Sequence, residues 1–137
     1  MAKPILVRYD ATNQNKFEDL HMTGLNPIVS IVTEELSRNT QSIMGDKLRK
    51  IILYGSYARG DYEKYSDLDI MVLADIDESE INDLERRLGR MSSRASLDHD
   101  ITICMLLNNE NLFMSRLHIS PFYRNVLSEG VEIYAAH

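Results

Sequence analysis

The sequence predicts an α/β domain with a sheet of about four or five strands. Segments with apolar residues at helical spacing alternate with short apolar runs, in the order helix, strand, helix, strand, helix, strand. The helical segments carry start and stop residues at both ends. The 137 residues, 44% hydrophobic and 26% charged, suffice for one domain with its own core, and they contain no repeat or low-complexity tract.

Residues 1–25 read as an N-terminal extension of uncertain structure, with a short strand at Ile5 to Tyr9 and a polar stretch anchored by Phe17, Leu20 and Met22. The domain proper is residues 26–137. Asn26-Pro27 supplies an N-cap followed by proline at the first helical position, and Ile28, Ile31, Val32, Leu36, Ile43 and Met44 form a stripe that ends at Gly45. This predicts a helix of about 18 residues. Lys47 to Lys50 leads into Ile51-Ile52-Leu53-Tyr54, a buried strand closed by Gly55. Leu68 to Leu73 is the second strand. Asp77 caps a helix from about Glu78, with Ile81, Leu84, Leu88 and Met91 on one face, an acidic first turn and an arginine-rich tail. Ile101 to Leu107 is the third strand, and a short helix is expected from Asn109 to Leu117. Ser120-Pro121 opens a last helix that stops at Gly130, and Val131 to Tyr134 closes the chain as an edge strand.

Composition excludes several classes. No apolar run approaches the length of a membrane span, and the N-terminus is interrupted too early for a signal peptide. The single cysteine, Cys104, has no internal partner, so a cytoplasmic setting is expected. The net charge of −6 argues against a protein that holds long nucleic acid on a broad basic surface.

The chemistry lies in Tyr54-Gly55-Ser56-Tyr57-Ala58-Arg59-Gly60 and in Ser66-Asp67-Leu68-Asp69. A buried strand ends in Gly-Ser and turns into a short helical segment. Glycine permits close backbone approach and the serine adds a hydroxyl donor, which suits a phosphate. Asp67 and Asp69 sit at i and i+2 at the start of an apolar strand, so both carboxylates project to one side. Like charges held that close repel, and a divalent cation relieves them; oxygen ligands without His or Cys favour Mg²⁺ or Mn²⁺. Gly-Ser alone is a common turn, and Asp-x-Asp alone a solvated strand entrance. Joined at this spacing, each against a buried strand, they point to nucleotide chemistry.

Gly55-Ser56, ten intervening residues and Asp67-x-Asp69 resemble the signature of the DNA-polymerase-β-like nucleotidyltransferases. The string from Gly55 to Asp61, Ser66 to Asp69, and the ending Ser120 to Asn125 with Glu129-Gly130-Val131 and Ile133-Tyr134 are similar to its minimal (MNT) branch over roughly residues 27–135. The resemblance implies a mixed sheet flanked by helices. It implies two Mg²⁺ ions, or Mn²⁺, held by Asp67, Asp69 and a third carboxylate on a neighbouring strand. That third residue is expected to be Asp100, immediately before Ile101 to Cys104, with Asp98 the other candidate in what reads as loop. Asp100 is also expected to take the acceptor's proton. Gly55 and Ser56 would hold the β- and γ-phosphates of ATP. Arg59 either neutralises phosphate charge or pairs with Asp61 or Glu63.

The histidines His21, His99, His118 and His137 have no ligand spacing, and Cys104, alternating with Ile103, reads as core. The tyrosines around the motif read mainly as packing, with Tyr57 a candidate to stack near the nucleotide. The resemblance implies an adenylyltransferase that moves AMP from ATP to a hydroxyl of a helical HEPN ribonuclease toxin, as its antitoxin. Two other readings stay open: a non-catalytic antitoxin that masks its partner sterically, and an antibiotic-modifying nucleotidyltransferase completed by a homodimer or second chain. The 137 residues leave little material for an acceptor pocket, so the acceptor side is expected from another polypeptide, and the acidic charge points to a protein.

Overall fold

The computed structural model describes residues 25–136, so the strand expected at Ile5 to Tyr9 lies outside the described residues. Helix α1 spans Pro27–Met44 and is followed by a 3₁₀ turn, Gly45–Lys47. Strand β1 is Leu48–Tyr54, helix α2 is Ser56–Arg59 and strand β2 is Leu68–Ala74. Helix α3, Glu78–His99, leads to strand β3, Ile103–Asn109. Helices α4, Glu110–Ser115, and α5, Pro121–Glu129, precede strand β4, Val131–Ala135. The four strands form one mixed sheet in the order β3-β2-β1-β4. Strand β1 runs antiparallel to β2 and β4, while β2 and β3 run parallel, joined by α3.

The capping residues act as their chemistry demands. The Asn26 side chain accepts from the N–H groups of Ile28 and Val29 at 2.8 and 3.4 Å. At α3, the Asp77 N–H donates to Glu80 Oε2 at 2.9 Å, and Glu80 also pairs with Lys47. Asn109 and Ser120 accept from Leu112 N and Tyr123 N at the starts of α4 and α5.

The third strand starts two residues later than the sequence predicts. Helix α3 continues through Asp98 to His99, and Asp100 ends it in the left-handed conformation, φ 52°. Its N–H and that of Ile101 both return to Ser96 O, which closes the helix and consumes Ile101 and Thr102 in the connection. Asp98 therefore lies in the last helical turn and not in a loop.

The sheet divides its side chains by strand alternation. On one face Ile51, Leu53, Ile70 and Val72 pack against Val29, Val32 and Leu36 of α1 and Leu84 and Leu88 of α3. On the other, Ile52, Met71 and Leu73 pack against Phe113 of α4 and Val126 of α5. Phe113 stacks on Tyr123 at 4.4 Å, which ties α4 to α5. Phe113 is fully buried in the smaller cluster, and Phe113→Ala is expected to cost about 3–5 kcal/mol. Chemical denaturation would register this as a lower midpoint with an unchanged slope.

Candidate active site

Strand β1 ends at Tyr54, and Gly55 turns the chain with φ 77°. The carbonyl of Gly55 accepts from Ala58 N and Arg59 N at 3.1 Å each, folding residues 56–59 into the single turn of α2. Gly60 then turns the chain again in the left-handed region. A side chain at position 55 would overlap the Asp69 carboxylate, so glycine is needed both for its backbone angle and for that approach.

Tyr54, Asp69 and Cys104 form one row across three strands. Tyr54 is paired with Asp69 in the antiparallel β1–β2 register, and Cys104 with Asp69 in the parallel β2–β3 register. The three side chains share the face that carries Ile52, Met71 and Leu73. Asp67, one step before β2, projects to the same side and is exposed. Burial, and then the Asp67 charge, raise the Asp69 carboxyl above the usual range, with Arg59 pulling the other way. Burial pushes the Tyr54 phenol up, helped by Asp69, and partial desolvation pushes the Cys104 thiol up, helped by Asp69 and then Asp67. Negative charge is thus concentrated at the start of the central strand β2, where one hard divalent cation fits the two carboxylates.

A cavity of about 330 Å³ opens here, lined by Gly55, Ser56, Asp69, Phe122, Asn125 and Glu129 among others. Phe122 sets its edge against Tyr54 at 5.6 Å. Arg59 reaches Asp61 at 3.2 Å and Glu129, on α5, at 3.3 Å. The guanidinium therefore stands beside Gly55 and Ser56 with two exposed carboxylate partners, pairs worth little in water.

The structure does not bring Asp100 into this group. It caps α3 and lines a larger cavity, about 500 Å³, together with Asn26, Val29, Ser96, His99 and Thr102. That cavity contains none of Gly55, Ser56, Asp67 and Asp69. Among the described residues, no three His, Cys, Asp or Glu side chains are gathered as a metal set, so Asp67 and Asp69 stand as a carboxylate pair without a third such side chain beside them. Cys104 corrects a second expectation: it is exposed and beside Asp69, not in the core. The alternation of Cys104 with Ile103 and Met105 was legible in the sequence, but not the face it would join. Glu129 lies 70 residues from Arg59, and no local pattern foretells their pairing. Tyr57 stacks on Tyr62 at 4.5 Å, and His99 meets Glu35 at 3.2 Å.

Residues 29–132 match the family model described as a nucleotidyltransferase domain. The chain belongs to this family, and it is a nucleotidyltransferase of the polymerase-β-like fold. Two similar proteins come from Methanocaldococcus jannaschii. One, named "Putative protein adenylyltransferase MJ0604", is 40% identical over 88 residues, covering 64% of this chain and 80% of that one. The other, MJ0141, carries the same description and is 33% identical over 106 residues, 77% of this chain and 98% of that one. Among solved structures, a mutant form of the toxin–antitoxin MntA-HpeT superposes with a TM-score of 0.50 at 16% identity, covering 77% of this chain and 74% of that one. A toxin–antitoxin with AMP-PNP gives 0.48 at 19% identity, with the same coverage of both chains. Among the described residues no helix is long and apolar enough to cross a membrane.

Two stability changes follow from the geometry. Gly55→Ala places a side chain at positive φ against the Asp69 carboxylate and is expected to cost about 1–3 kcal/mol, read as a lower Tm. Asp69→Asn works in the opposite direction. A carboxyl whose folded pKa is raised destabilises the fold while ionised, and that penalty disappears as pH falls through the raised value. The variant is therefore expected to melt higher than wild type at pH 7. The difference should shrink as pH falls through the raised Asp69 value.

Proposed function

We propose that the protein is a Mg²⁺-dependent protein adenylyltransferase that transfers AMP from ATP to a hydroxyl of a HEPN ribonuclease toxin and so acts as its antitoxin. The observation that carries the reading is the Asp69 carboxylate packed over the left-handed Gly55, beside Asp67 and at the mouth of the cavity lined by Ser56. The names of the M. jannaschii relatives support protein as the acceptor and AMP as the group moved. The fold neighbour is a toxin–antitoxin pair, and this, with the resemblance to the MNT branch, supports the choice of partner.

Asp67 and Asp69 hold the cation that accompanies the triphosphate, which neutralises their mutual repulsion. Mg²⁺, when bound, supplies positive charge to the phosphate oxygens. Gly55 lets the backbone approach the phosphates and Ser56 donates its hydroxyl to a phosphate oxygen. Arg59 exchanges Asp61 and Glu129 for phosphate, a charge-assisted contact in place of two solvent-screened ones. The acceptor hydroxyl oxygen attacks the α-phosphorus and loses its proton to water, the bond from that phosphorus to the bridging oxygen breaks, and pyrophosphate leaves. Asp100, which lines the other cavity, is left out of this ligand set.

The test is label transfer from α-labelled ATP to the co-purified toxin in Mg²⁺. Wild type is expected to label the toxin and relieve its ribonuclease activity. Asp67→Asn with Asp69→Asn is expected to lower both by on the order of a hundredfold or more. Neutralisation that survives in the double variant, without label, would favour steric masking and overturn the enzymatic reading.

A further inference from the structure

The parallel register of β2 and β3 fixes what can stand beside the two carboxylates. Leu68 pairs with Ile103 and Asp69 with Cys104, and Leu68 N donates to Thr102 O at 2.8 Å. Residues level with each other on neighbouring strands present their side chains to the same face. The partner offered by β3 on the Asp69 face is therefore a thiol, Cys104. On the opposite side of Asp69 stands the Tyr54 phenol.

A second hard divalent ion here needs a further anionic oxygen ligand. No such oxygen comes from the row itself. Asp100 is separated from β3 by Ile101 and Thr102, is held in the left-handed conformation by the end of α3, and lines the cavity that Asn26, Tyr57, Ser66 and Ser96 also line; among the described residues no third His, Cys, Asp or Glu is gathered with Asp67 and Asp69. Sulfur is a soft donor and a poor ligand for Mg²⁺, because that ion takes hard oxygen donors.

We infer that Cys104 occupies the seat that a third metal-binding carboxylate would fill, so that this chain takes up a single divalent ion with its nucleotide and Cys104 is the residue that limits it to one. The inference rests on the nucleotide reading of Asp67 and Asp69 proposed above. It makes Cys104 a determinant of metal stoichiometry: one side-chain change at this position converts the site from one ion to two.

The experiment counts Mn²⁺ bound per chain by electron paramagnetic resonance, with saturating non-hydrolysable α,β-methylene-ATP, in wild type, Cys104→Asp and Cys104→Ser. One ion is expected for wild type and for Cys104→Ser, and two for Cys104→Asp. Two ions in wild type overturn the inference, and so does the loss of an ion in Cys104→Ser, which would make the thiol a ligand. A folded Cys104→Asp that still binds one ion overturns it as well. Should that variant fail to fold, wild type and Cys104→Ser still decide the matter. Alkylation of Cys104 by iodoacetamide supplies an independent readout, since the thiol is exposed and the only cysteine. Mn²⁺ with the nucleotide analogue is expected to slow it in wild type, and an unchanged rate would remove Cys104 from the site. Absence of any nucleotide-dependent Mn²⁺ in all three proteins is a different result: it defeats the nucleotide reading itself, and the inference with it.

Discussion

The site depends on one close approach, the carboxylate of Asp69 against the backbone of Gly55. It joins the end of β1 to the start of β2 and leaves room at position 55 for no side chain. The left-handed turn at Gly55 then starts the short helix that carries Ser56 and Arg59. Burial of Asp69 and its repulsion by Asp67 make this a costly arrangement in the absence of a counter-charge. The remainder of the fold supplies the rigidity that holds it, through a central strand pair buried on both faces.

Most of the architecture was legible because its signals are local. Asn26-Pro27, Asp77 and Ser120-Pro121 start helices by hydrogen bonds made within a few residues, and Gly45 and Gly130 mark where the chain leaves them. The Gly-Ser and Asp-x-Asp segments were legible for the same reason, since each acts through its own strand. Two features escaped. The end of α3 is decided by Asp100 adopting a conformation uncommon outside glycine, which periodicity does not encode, and this moved the start of β3. The company kept by Asp69 is decided by register between strands separated by a long helix, and a single sequence does not state register. Cys104, read as a small apolar core residue, is the clearest case: its alternation was visible, but the face it would join was not.

The two carboxylate partners of Arg59 show how the phosphate side is kept in balance. Asp61 lies two residues away, whereas Glu129 belongs to α5, the helix that also carries Phe122 and Val126. A cation near Gly55 and Ser56 would otherwise fall directly on the Asp67–Asp69 charges. Asp61 and Glu129 engage it instead, and from there it still lowers the pKa of the Asp69 carboxyl.

The parallel pairing of β2 with β3 has a consequence for how this protein changes over time. The chain enters β3 directly from the end of α3, so the length of that helix determines which residue lies beside Asp69. Adding or deleting one residue between Asp77 and Ile103 would exchange the two faces of the strand, bringing Ile103 or Met105 to the carboxylates and turning Cys104 toward α1 and α3. A point substitution can alter the chemistry at that position while the helix stays fixed, but a length change cannot leave the chemistry alone. Helix α3 is thus a ruler for the site as well as a wall of the core.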